Sequence, residues 1–63
     1  MNSSRKIRKS KKLTQGQLSK LTGILVPNIS AYENSKLRMR EDTIRRFAIA
    51  LNVRTDKIME EDK

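Results

Sequence analysis

Cysteine and histidine are both missing from the 63 residues. Their absence removes disulfides, thiolate metal sites, the usual zinc ligands and the commonest general base. No catalytic residue, metal site or cofactor is therefore expected. Tryptophan is also absent, Phe47 and Tyr32 are the single phenylalanine and tyrosine, and apolar residues make up only 35% of the chain. A core drawn from so few residues is small, and at this length burial and chain entropy nearly cancel. A bound ligand or a second chain then matters for stability. With one proline, Pro27, and two glycines, Gly16 and Gly23, the chain has no flexible linker, and it has no repeat or low-complexity tract. It reads as one domain over residues 1–63, with no separate effector or oligomerisation domain. The longest unbroken apolar run, Phe47 to Leu51, is far too short for a membrane span or the apolar part of a signal peptide. A soluble cytoplasmic protein with no membrane partner is expected.

Charge is abundant, and it is unevenly placed. The net +8 divides into +9 over residues 1–40, where Glu33 is the only acid, and −1 over residues 41–63. A concentrated positive field favours a polyanion, because neutralising phosphates releases condensed counterions.

The apolar residues recur at helical spacing, and strand alternation is hard to find. Residues 4–12 form a basic stretch whose one clear apolar anchor is Ile7. Thr14 with Gln17 fits a capping box, and Leu18 and Leu21 follow until Gly23, a natural left-handed terminator. A third helix is expected to start near Val26, where Pro27 suits the first turn. Ile29 and Tyr32 face inward from it, and Asn34, Ser35 and Lys36 end it. Ile44, Phe47, Ala48 and Leu51 then stand at i, i+3, i+4 and i+7, the centre of the core, until Asn52. A brief fifth helix, capped by Thr55 beside Asp56, is expected to return Ile58 and Met59 to the core. The fold class is all-α, five short helices. The tight connection from Leu21 to Val26 makes the second and third a helix-turn-helix sharing Leu18, Ile24 and Ile29.

In register over nearly the whole chain, Ile7-Arg8, Leu13-Thr14-Gln15, Leu18, Gly23-Ile24, Ile29-Ser30, Glu33-Asn34, Thr43-Ile44, Ala48, Ala50-Leu51 and Val53 resemble the lambdoid-phage repressor and Cro type of helix-turn-helix. The resemblance implies a compact DNA-binding domain of bacterial or phage origin, a transcription regulator acting on double-stranded DNA. Thr14 and Gln15, at the start of the second helix, would meet a phosphate through free amides and the helix dipole. The third helix would be the recognition helix, with Val26, Pro27, Asn28, Ser30 and Ala31 at base edges. Asn34, Lys36 and Arg38 would follow the phosphate backbone, and Arg8, paired with Glu33, would be oriented toward a phosphate.

The chain departs from the family where bases are read. Val26, Pro27 and Ala31 offer only apolar contact, chiefly to thymine methyl groups, while Asn28 can bond an adenine edge or a phosphate. The alternative is that specificity leans on DNA shape, or that the domain has lost strict sequence reading. Leu25 replaces a small polar cap, which would shift the first turn of the third helix by a residue. Ser35 replaces a glycine, so Asn34 or Ser35 must take positive φ, which Asn tolerates better. Ile49 lies off the core stripe and, with Val53 and Met59, is expected to form a homodimer interface. The reading is a repressor on a two-fold operator. The alternative is an antitoxin-like or co-regulator module that uses the same fold to bind a protein partner.

Overall fold

A computed structural model describes residues 2–60, and among these no strand occurs. Five helices follow in order: α1 Ser4–Ser10, α2 Gln15–Thr22, α3 Val26–Glu33, α4 Glu41–Leu51 and α5 Thr55–Met59. Each boundary has a local cause. The α1 helix is shorter than the basic stretch predicts: Lys12 takes φ 59° and the amide of Leu13 donates to the Arg8 carbonyl at 3.2 Å, which turns the chain away. The capping box on α2 is complete, with the Thr14 amide donating to Gln17 Oε1 at 2.8 Å and the Gln17 amide to Thr14 Oγ1 at 3.0 Å. Gly23 ends α2 at φ 74°, a conformation that glycine reaches without steric cost. Glu41 and Asp42 place negative charge in the first turn of α4, where the helix dipole favours it, and Asn52 closes that helix at φ 57°.

Leu18, Ile29, Phe47, Leu51 and Ile58 are fully buried, with Ala48 and Met39 beside them. Each large side chain contributes about 1.5–3 kcal/mol by leaving water. The α4 helix packs on α5 and supports α2, α2 packs on α3, and α1 leans on α4 and α5. Tyr32 meets the edge of Phe47 at a centroid distance of 6.0 Å and 85° between ring planes. The connection from α2 to α3 is only Gly23, Ile24 and Leu25, held by Thr22 Oγ1, which donates to the Leu18 carbonyl and accepts from the Ile24 amide.

Other expectations meet the structure as follows. The fifth helix is capped by Arg54 and not by Thr55, which is its first residue. Met59 is 50% exposed and does not enter the core, and Leu21 is 59% exposed because α2 turns only Leu18 and Thr22 inward. The first turn of α3 is not shifted: Leu25 is the N-cap residue in extended conformation, with no side-chain cap bond. Of the two residues expected to supply positive φ, Ser35 does so, at 58°, while Asn34 stays at −95°.

The N-terminal residues tie the helices together in a way that periodicity does not reveal. Asn2 Oδ1 accepts from the Ser4 amide and hydroxyl, and its Nδ2 donates to the Tyr32 carbonyl at 3.0 Å. Ser3 reaches α5, its amide donating to the Ile58 carbonyl and its hydroxyl to that of Glu60.

Candidate nucleic-acid interface

Glu33 is 1% exposed, and burying a carboxylate is costly unless its oxygens are hydrogen-bonded. Arg8 supplies a two-pronged contact, Nε to Oε2 at 2.7 Å and Nη2 to Oε1 at 3.2 Å, while its Nη1 donates to the Leu13 carbonyl. Gln15 Nε2 adds a third donor to Oε1 at 3.0 Å. The carboxylate thus locks the end of α3 to α1 and to the start of α2. A primary amide carries two N–H groups. With one fixed on Glu33, the other is presented beside the first turn of α2, where Gln15 and Gly16 have no carbonyl one turn earlier to bond. Arg8 is itself only 7% exposed, so it acts mainly as the strut of this cluster.

The α3 helix turns Ile29 and Glu33 inward, and Pro27 and Ala31, four residues apart, lie on the opposite side. Leu25 is 70% exposed and Val26 38%. Pro27 has no N–H, and the amides of Asn28 and Ile29 both donate to the Leu25 carbonyl at 3.0 Å. Asn34 Nδ2 is turned back onto the Ser30 carbonyl and hydroxyl. Asn28 is then the polar side chain of the α3 surface left without a partner among the described residues.

Beyond α3 the backbone folds back, the amides of Lys36 and Leu37 both donating to the Ala31 carbonyl. Lys36 and Arg38 are exposed there and form no ion pair among the described residues. The start of α2 is tied to the end of α3 through Glu33, and the cationic loop folds back on α3 through the Ala31 carbonyl, so the three segments adjoin. They carry Thr14, Gln15, Val26, Pro27, Asn28, Ser30, Ala31, Asn34, Lys36 and Arg38.

Across this chain a family model for helix-turn-helix matches residues 5–58. The chain belongs to the Cro/C1-type helix-turn-helix family. Members of this family are DNA-binding transcription regulators and not enzymes, so the chain is a DNA-binding regulator. No curated protein matches it. No helix among the described residues is long and apolar enough to cross a membrane.

Sequence reasoning paired Arg8 with Glu33 but missed Gln15 as a third member. The available signal was Glu33 itself, the only acid in the first forty residues. It also read Leu25 as a displaced cap and not as an exposed side chain beside the reading positions. The residues expected at a dimer interface border two depressions that share Arg45 and Thr55. Ile49, 75% exposed, and half-buried Val53 border an open depression of about 690 Å³ with Arg45, Asn52 and Thr55. Met59 borders a second, of about 340 Å³, with Ile44, Arg45 and Asp56.

Proposed function

We propose that the chain is a repressor that binds a two-fold operator as a homodimer, one α3 in each of two successive major grooves. The observation that carries this reading is the adjacency of the α2 start, the outer side of α3 and the Lys36–Arg38 loop. Phosphate-binding groups there flank a surface that can meet base edges, the division of labour a duplex demands. Val26, Pro27, Asn28, Ser30 and Ala31 meet bases. Thr14, Gln15, Asn34, Lys36 and Arg38 meet phosphates, with Arg8 positioning Gln15 through Glu33. The longest dimension is 26 Å, so one copy reaches one half-site, and two copies are needed for half-sites about 34 Å apart. Ile49, Val53 and Met59 supply the surface on which the copies meet.

Selection of bound sequences from random DNA, at fixed salt, tests this reading. Two half-sites about one helical turn apart are expected, and enrichment of single unpaired sites would overturn the dimer. In the same assay Lys36→Ala should weaken all sequences alike, whereas Asn28→Ala should change base preference. The exposure of Leu21 and Leu25 favours a second reading, a module that presents this apolar surface to a protein. Failure to enrich any sequence would favour it.

A further inference from the structure

The outer surface of α3 is poor in hydrogen-bonding side chains. Leu25, Val26, Pro27 and Ala31 are apolar, Pro27 lacks an amide, and the next two amides are spent on the Leu25 carbonyl. Asn34 spends an amide N–H on the Ser30 carbonyl and hydroxyl, and Asn28 is the polar side chain there with no partner among the described residues. In the major groove each base edge offers donors and acceptors, and the one apolar group it offers is the 5-methyl of thymine. Cations border the same surface at Lys36 and Arg38, so its occupant is a polyanion carrying apolar points.

We infer that this regulator selects its sites by the pyrimidine 5-methyl group, with Leu25 and Val26 as the residues that contact it. The inference rests on the reading of α3 as the recognition helix, and it adds Leu25 to the reading set. Helix capping does not explain the exposure of Leu25: it makes no side-chain cap bond, and a hydrophobic residue is among the poorest N-caps. A consequence separates this mode from hydrogen-bonded readout. Cytosine methylated at position 5 carries the same methyl in the same groove, so it should substitute in part for thymine.

The test uses four alternating duplexes: dA with dT, dA with dU, dG with dC, and dG with 5-methyl-dC. Within each pair the phosphates and hydrogen-bonding edges are the same, and only the methyl differs. The methylated duplex should bind about fourfold tighter per methyl contacted, or roughly 15-fold for two per chain, from the transfer of about one CH₂ equivalent each. Leu25→Ser and Val26→Thr should each reduce that ratio. Leu25→Ser should do so while raising the melting temperature, because serine caps α3, so misfolding cannot explain the loss. Equal affinity within both pairs, with steep salt dependence, would overturn methyl reading and leave DNA binding intact. A methyl preference that persists unchanged in both variants would also overturn it, the methyl then acting through duplex shape. No binding to any duplex at low salt would instead sink the recognition-helix reading and assign the apolar strip to a protein.

Discussion

An unpartnered carboxylate at the burial of Glu33 would cost several kcal/mol, and the three N–H donors on it, two from Arg8 and one from Gln15, offset that cost. Arg8→Met removes two of them and leaves the charge with Gln15 alone. The expected loss is about 3–5 kcal/mol. Total stability for a chain of this length is on the order of 3–9 kcal/mol, so the variant should lose a third of it or more. The double change Arg8→Met with Glu33→Met should recover much of the loss, because replacing both partners costs less than stranding one. Urea melts of the two variants check this. Equal destabilisation by both would show that the cluster acts through packing and not through the buried charge. The same double variant frees the Gln15 amide, so it should fold yet bind DNA less tightly.

The start of α2 is where an element, and not a residue, is the functional unit. Gly16 stands at its second position, and a Cβ built there meets only Thr14 Oγ1 at 3.8 Å, an ordinary contact. Gly16→Ala should therefore stabilise the fold, by up to about 1 kcal/mol from the reduced freedom of the unfolded chain. If the α2 amides bind a phosphate, a methyl added in that first turn crowds it, so DNA affinity should fall while the melting temperature rises. Affinity unchanged in that variant would remove the α2 amides from the interface. Such elements were the legible part of the sequence: Thr14 with Gln17, Gly23, Pro27 and Asn52 each impose a backbone state locally, and each stands at the boundary it predicts. What depends on partners far along the chain was not legible. Ser3 on the Ile58 carbonyl, Asn2 on the Tyr32 carbonyl and Gln15 on Glu33 are pairings that no periodicity encodes. Met39 is buried from a loop for the same reason, and Met59 turns outward because α5 has only one inward position, Ile58.

For the whole molecule, charge and shape together set how DNA is held. With about 6–10 phosphates neutralised by a dimer, affinity should fall roughly 10³- to 10⁵-fold between 50 and 200 mM salt, and a flat response would rule out backbone contacts as the main source of binding. The cations lie toward one end of the sequence, while residues 41–63 carry a net −1, so two copies can approach through α4 and α5 without the repulsion two +9 halves would suffer. At that end Ile49 is the most exposed large apolar side chain, beside Val53. Arg45 and Thr55 separate this pair from Met59, so the apolar area is small and dimerisation in free solution should be weak. Binding to adjacent half-sites supplies the missing free energy by raising the effective concentration of each copy for the other. Sedimentation with an operator-length duplex should then show two chains per duplex, although the free protein sediments as a monomer at the same concentration. Ile49→Lys puts a third cation beside Arg45 and Arg54 on each copy, so the α4 surfaces repel, while Ile49 is too exposed for its loss to unfold the domain. The variant should bind one chain per duplex, weakly, with its melting temperature unchanged. Tight one-to-one binding by the unaltered protein, insensitive to Ile49→Lys, would refute assembly through this surface.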